Sequence, residues 1–371
     1  MSNTKITYII STIDKGNAYE WISKHFDKSE IQISYILLYR KKTNLYNFLK
    51  ENNIKVYHIP FLGKRSYFKS FLRILFILFK TKPQVIHTHF FDANMIGLTA
   101  AWVLGIKKRI YTRHHSTFHH ENFPKAVKYD KWANNISTHI IAISVNVKNI
   151  LTYMEKVPES KISLIYHGFK LSIVKAKDQL KIESLNIKYK LNNSAPIVGV
   201  IARYINWKGI QYIIPAFKKL LVDYPNAKLV LANSVGPHIE NIQIALKTLS
   251  PDSYIEIPFE NDIFSLYPSF DIYVHVPINK EIEAFGQTYV EALAAGVASI
   301  FTLSGIGSDI IKDGFNALVV NYKSSDDIYN KMIILLTDKK LRNRLIANGQ
   351  KSVSKFSFDK FVKALKFLYQ N

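Results

Sequence analysis

The sequence predicts an α/β fold made of two doubly wound parallel-sheet domains facing each other across a cleft. Three observations predict it. Short strand-like runs alternate with helix-like runs from the beginning of the chain, the alternation restarts after one polar stretch, and 371 residues with 48% hydrophobic content can fill two ordinary cores.

The first series of strand-like runs covers residues 6–10, 32–38, 55–59, 85–88, 109–112, 139–143 and 163–166. Each is rich in β-branched or aromatic residues and short enough to be a buried strand. Periodic segments at 45–52, 67–80 and 94–104 supply crossover helices between them. Residues 170–194 are polar, Lys-rich and irregular, and read as a linker. A second series then follows at 197–201, 228–231, 255–257, 272–275, 298–301 and 317–320. The expected division is residues 1–175 and 176–354, with 355–371 forming a last amphipathic helix whose apolar positions 358, 361, 362, 365 and 367–368 find no obvious place in the second domain. In such sheets ligands bind beyond the carboxyl ends of the strands, so the cleft is the expected active site.

Composition excludes several function classes. With no cysteine, disulfides and zinc-thiolate sites are ruled out. The N-terminus enters a strand pattern directly, without the basic, apolar and small-residue segments of a signal peptide, and a cytoplasmic location is expected. The longest apolar stretch, 68–79, is broken by Lys69, Ser70 and Arg73 and is too short to span a bilayer. The net charge of +22 is uneven: residues 1–175 carry 27 Lys and Arg against 10 Asp and Glu, and the remainder 23 against 18. A compositional bias of the genome would act on both halves alike, so the excess in the first asks for an anionic partner.

The densest chemistry lies at 283–301. Glu283-Ala284-Phe285-Gly286-Gln287-Thr288-Tyr-Val-Glu291 reads as a loop ending at Gly286, a helix starting near Gln287 and a strand over 297–301. That puts one carboxylate in a loop and the other on a helix. The helix start aims backbone N–H groups and partial positive charge at the space before Gly286, which suits a phosphate. Carboxylates beside it would contact neutral hydroxyls, because a carboxylate facing phosphate is repelled. A sugar nucleotide offers both groups. Arg203 stands at the end of the 197–201 strand and Lys208 in the loop after it, two cations able to neutralise a diphosphate. A solvated basic loop is the plainer reading of that pair, and a structural turn is the plainer reading of Gly305 and Gly307.

Taken together, these motifs resemble glycosyltransferase family 4, retaining enzymes of the GT-B fold, over nearly the whole chain. The Glu-x7-Glu element 283–291 with its Ala-rich tail carries most of the resemblance, joined by Arg203, Lys208-Gly209, the Asp271-Ile-Tyr-Val segment and the glycine turn from Gly305. In the first half, Val85-Ile-His-Thr-His89, Tyr111-Thr-Arg-His114, Ile140-Ile-Ala-Ile-Ser144 and Leu164-Ile-Tyr-His-Gly168 look like the family's strand-end motifs. The resemblance implies that Glu283 holds hydroxyls of the donor sugar, Glu291 the nucleotide ribose, and Arg203 with Lys208 the diphosphate. It implies amide contacts from residues 285–288 and a place for His114 near the sugar's reactive face. It also implies that the last helix crosses back onto the first domain. The family's Gly-Gly turn after the first strand admits the phosphate and acceptor; here only Gly16 stands in for it, which leaves Lys15 and Gly16 as the expected acceptor or phosphate loop, while Ser308-Asp309 replaces a common Pro-Glu and Ala317 a frequent Gly.

The expected activity is transfer of a hexose-type sugar from a UDP-, GDP- or ADP-sugar to a glycan or lipid-linked acceptor of cell-surface polysaccharide, with no cofactor. The histidine-rich loop holding His114, His115, His119 and His120 invites a metal, but no matching carboxylate set accompanies it in the sequence and no metal is expected. A GT-B sugar-nucleotide epimerase is the near alternative. A nucleic-acid-binding protein is the alternative from another class; it leaves the 283–291 element unexplained, and no nucleic-acid partner is expected. The basic and aromatic stretch 61–82 is expected to lie on an anionic membrane, making the enzyme peripheral on the cytoplasmic face. The competing reading is that Leu72, Leu75, Phe76 and Phe79 pack on the sheet. Oligomeric state is not readable.

Overall fold

The computed structural model describes residues 3–26 and 29–371, and within it the chain forms two compact units, residues 1–169 with 358–371, and residues 170–357. The first unit holds β1 (Thr4–Ser11), β2 (Ile31–Tyr39), β3 (Val56–Pro60), β4 (Val85–His89), β5 (Lys108–Arg113), β6 (His139–Ala142) and β7 (Ile162–Leu164). They form one sheet in the order β3-β2-β1-β4-β5-β6-β7, with every pairing parallel. The second unit holds β8 (Ile197–Ile201), β9 (Lys228–Ala232), β10 (Tyr254–Ile257), β11 (Ile272–His275), β12 (Ala298–Phe301) and β13 (Leu318–Val319), ordered β10-β9-β8-β11-β12-β13 and again all parallel. The expected α/β class and its doubly wound parallel sheets are what the chain forms.

The strands are apolar on both faces because helices cover both. Ile6, Tyr8, Ile9 and Ile10 of β1 are buried, as are Val198, Val200 and Ile201 of β8. Strand order reverses between β1 and β4 in one unit and between β8 and β11 in the other. Loops leaving neighbouring strands in opposite directions open a crevice at each reversal, so these two points are where each sheet can hold a ligand.

The units divide after Phe169, whereas the sequence suggested 175. Helices Leu171–Lys175 and Gln179–Lys188 occupy much of the stretch expected to be irregular, the second burying Ile182 and Leu185. The segment expected as one helix over 94–104 has a π turn at Asn94–Leu98 between two short α segments. The last helix, Phe358–Gln370, belongs to the first unit and buries Phe358, Val362, Leu365, Leu368 and Tyr369. Its Tyr369 hydroxyl meets Tyr8 and lies 2.7 Å from His87 Nδ1. Gly168 makes the close approach possible, since a Cβ there would stand 2.5 Å from Phe361 Cβ. No helix of the described residues is long and apolar enough to cross a membrane.

Candidate active site

In the second unit the site grows from the β8/β11 reversal. After β8 the chain passes Arg203, makes a 3-10 turn at Asn206–Lys208 and enters the helix Ile210–Asp223 through Gly209 at φ +77°. A Cβ on Gly209 would come within 1.9 Å of the Val276 carbonyl oxygen, so glycine alone lets this loop close on the segment after β11. The Ile278 N–H donates to the Trp207 carbonyl at 3.0 Å and fastens the two together. Lys208, lying over the Trp207 ring at 4.4 Å, is thereby delivered to Glu283.

Glu283 is buried, 5% exposed, and its Oε1 receives the Lys208 ammonium while His275 Nε2 lies 3.4 Å away. Burial by itself would raise the carboxyl pKa, but the Lys208 charge and His275 override it and hold it at about 2. The carboxylate is therefore ionised and fixed. Its loop rests on the turn after β12: Ser304 Oγ accepts the Glu283 N–H at 3.3 Å, and the Ile306 N–H donates to the Phe285 carbonyl at 2.8 Å. Gly305 is required there, because a Cβ would lie 2.7 Å from the Phe285 oxygen. The glycine turn thus shapes the Glu283 loop.

The helix runs over Gln287–Ala295, entered through Gly286 at φ +84°, so its first N–H groups point to the space before Gly286 as expected. Ala284 and Thr288 are half-buried, Gln287 is exposed, and Phe285 packs edge-on to Phe356. Glu291, further along, accepts a 2.9 Å hydrogen bond from the Tyr267 hydroxyl. Burial pushes its carboxyl up to about 7, with the Tyr267 bond pulling weakly the other way. The two acids therefore behave oppositely at neutral pH: Glu283 is a locked anion and Glu291 is poised to titrate. Arg203 is exposed, with no side-chain hydrogen bond or ion pair among the described residues, and stays available to an incoming anion.

His275 carried no signal beyond being a polar residue closing an apolar strand. It is 1% exposed, burial lowers its pKa, and its ring stands edge-on to Tyr289 at 4.8 Å. Its Nε2 lies against the same Glu283 oxygen, Oε1, that receives Lys208.

In the first unit, His114 follows β5 and stacks on Phe90 (4.5 Å) and His167 (5.7 Å), with Nε2 3.1 Å from His89 Nδ1. Burial, reinforced by His167, His87 and His115, holds His114 well below its ordinary pKa, so it is a neutral ring. Phe90 takes φ +70°, an unusual backbone for an aromatic residue, at the end of β4 where the sheet reverses. Across the reversal, the loop after β1 carries exposed Lys15 and half-buried Gly16, which begins the helix Asn17–His25. Thr12 in this loop has φ +62°, a conformation a glycine would hold without strain.

The histidine-rich loop corrects one expectation. Carboxylates do accompany it, brought from distant positions: His115 Nε2 lies 3.3 Å and His119 Nδ1 2.7 Å from Asp130, and His120 Nε2 lies 3.1 Å from Glu155. The three groups His115, His119 and Asp130 are close enough together to share an ion. Arg113, however, sits on the same acids, 3.3 Å from Asp130 and 2.5 Å from Glu155, and supplies their counter-charge.

Two family models match the chain in tandem, one described as Glycosyltransferase Family 4 over residues 22–172 and one as Glycosyl transferases group 1 over residues 181–352. The chain is a GT-B glycosyltransferase of family 4. This glycosyltransferase is 29% identical to the capsular polysaccharide biosynthesis glycosyltransferase CapM of Staphylococcus aureus, the match covering 81% of this chain and 80% of that one. It is 22% identical, over 86% of its own length and 84% of the other's, to an Escherichia coli enzyme named UDP-Gal:alpha-D-GlcNAc-diphosphoundecaprenol alpha-1,3-galactosyltransferase. Among solved structures, Anabaena HepE in complex with UDP and glucose superposes with a TM-score of 0.83 at 17% identity, covering 100% of both chains. Such a likeness fixes the fold of the glycosyltransferase and not its substrate.

Proposed function

We propose that this glycosyltransferase moves a hexose-type sugar from a nucleoside-diphosphate sugar to a glycan or lipid-linked acceptor, with retention at the anomeric carbon. The observation that carries the reading is Lys208 paired with the buried Glu283 at the β8/β11 reversal, with Arg203 exposed in the same loop as Lys208 and a helix N-terminus following Glu283. Arg203 and Lys208 take the diphosphate, and the amides of residues 285–288 complete its cradle. Glu283, kept ionised, accepts hydrogen bonds from sugar hydroxyls, and Glu291 does the same for the ribose. His114, held neutral, is a hydrogen-bonding group for the sugar or acceptor and not a fixed charge. The leaving diphosphate itself takes the acceptor proton, while the cations and helix terminus stabilise the charge that develops on it. No resident metal or cofactor enters any step.

Support for a nucleotide donor comes also from relatives: HepE was solved with UDP and with UDP-glucose, and the E. coli enzyme is named for a UDP-sugar donor and a lipid diphosphate acceptor. Capsular and lipopolysaccharide relatives favour a cell-surface glycan as product. The basic first half and the stretch 61–82 are our ground for reading the enzyme as peripheral on the cytoplasmic face of the membrane. Calorimetric titration with UDP-, GDP- and ADP-sugars tests the donor site. Selective binding of one donor, weakened at least tenfold by both Lys208→Ala and Glu291→Ala, is expected. Binding unchanged in the two variants, or absent for every donor, overturns the assignment.

A further inference from the structure

The helix Tyr67–Thr81 has two apolar faces where packing needs one. Ser70, Ile74 and Leu78 are buried against the sheet. Phe68, Leu72, Phe76 and Phe79 fall at i, i+4, i+8 and i+11 on the far side, and Phe68 is 74%, Phe76 61% and Phe79 64% exposed. This overturns the reading in which Leu72, Phe76 and Phe79 pack on the sheet; of that set only Leu75 is half-buried. A further exposed side chain, Leu62, precedes the helix. An exposed stripe of large aromatic residues is a contact surface and not a feature of the core.

The charge beside the stripe is of one sign. Residues 61–82 contain Lys64, Arg65, Lys69, Arg73, Lys80 and Lys82 and no acid. Between the helix and the outer strand β3 lies a groove of about 670 Å³ whose lining includes Leu72, Phe76 and Ile77 with Lys42, Lys69 and Arg73. Three cations thus line one groove together with apolar and aromatic side chains, and β3 is the edge of the sheet, so no further strand closes it.

We propose that this face docks on an anionic phospholipid bilayer, the groove seating a lipid phosphate between Lys42, Lys69 and Arg73 while the Phe68-Leu72-Phe76-Phe79 stripe enters the acyl boundary. The occupant follows from complementarity: a phosphate ester attached to hydrocarbon matches three cations around an apolar slot beside an aromatic stripe, whereas a nucleic acid would leave the stripe in water and a second copy would bring like charge against like. The assignment rests on the membrane-facing reading above and names its surface and partner. All of these residues belong to the first unit, whereas Arg203, Lys208, Glu283 and Glu291 belong to the second.

The test is co-sedimentation of the full chain with vesicles of phosphatidylcholine alone and of phosphatidylcholine with phosphatidylglycerol in equal parts. The wild type is expected to partition at least about tenfold more strongly onto the anionic vesicles. A Lys42→Glu/Lys69→Glu/Arg73→Glu variant is expected to lose that preference, and a Phe76→Ser/Phe79→Ser variant to lose the binding that survives high salt. Equal partition onto both vesicles, or variants that sediment as the wild type does, overturns the proposal. So does stripe-dependent self-association in sedimentation velocity without vesicles, or tighter binding to a single-stranded oligonucleotide than to the anionic vesicles. Donor titration on the same variants without vesicles separates the two readings: it should match the wild type, and a chain that binds vesicles but no donor defeats the proposed nucleotide-sugar donor alone.

Discussion

Replacing Lys208 by alanine is expected to abolish sugar transfer and to lower the stability of the protein by about 3–5 kcal/mol at neutral pH, the usual consequence of leaving one member of a buried ion pair alone. The pH dependence should also reverse. In the wild type, burial raises the Glu283 pKa but Lys208 and His275 bring it down from 4.5 to about 2. A depressed pKa contributes stability that is present above about 4.5 and is lost as pH falls toward 2. Without Lys208 the burial contribution dominates, the pKa rises above its unfolded value, and the sign changes: stability is then present at acid pH and lost as pH rises. Thermal unfolding from pH 4 to 8 should therefore show the variant recovering on mild acidification while the wild type does not. A Lys208→Met/Glu283→Gln variant, which removes both charges, should regain most of the stability and none of the activity. An alanine variant that melts like the wild type across this range would show that Glu283 is not a buried carboxylate held by Lys208.

The second large effect belongs to Glu291. Its carboxyl is raised to about 7 because burial outweighs the Tyr267 hydrogen bond. A raised pKa means stability present below the unfolded value near 4.5 and lost as pH climbs through 7. Glu291→Gln is accordingly expected to be more stable than the wild type at pH 8, by about 2–3 kcal/mol. Function should move the opposite way. If the ionised carboxylate accepts ribose hydroxyls, wild-type donor affinity falls as pH drops below 7, by up to about tenfold per unit, whereas the glutamine variant binds weakly and without that slope. Calorimetric donor titrations at pH 6, 7 and 8 read this directly. A wild type with pH-independent affinity would remove Glu291 from the ribose.

Much of the fold was legible because its strands are buried on both faces and appear as short β-branched runs, from Ile197–Ile201 to Ala298–Phe301. The Gly286 boundary was legible for a local reason too, since a left-handed glycine can announce a helix start. Less visible were elements defined by tertiary contact. Helix Gln179–Lys188 has little amphipathic periodicity of its own and is held through Ile182 and Leu185. The pairing of Lys208 with Glu283 spans 75 residues, and that of Arg113 with Glu155 spans 42. No local pattern encodes either meeting. His275 was hidden for the same reason: its significance is Glu283, which reaches it only through the fold. The outward stripe of helix Tyr67–Thr81 depended on which face turned to the sheet, and a single small residue, Ser70, shares the inward face with Ile74 and Leu78. A helix with apolar residues on two of its faces conceals that choice in its sequence.

The central claim is that Lys208, Arg203 and the Gly286 helix start draw off a nucleoside diphosphate while Glu283 holds the sugar, with attack on the same face the diphosphate leaves. It can be tested without knowing the acceptor, because water can take the acceptor's place. The enzyme would be incubated with the donor it binds, and the anomer of the sugar first released would be followed by proton nuclear magnetic resonance before mutarotation. From an α-linked donor the account predicts α-sugar first, released by the wild type and not by Lys208→Ala. First release of the β-anomer, or equal release by the variant, would contradict it.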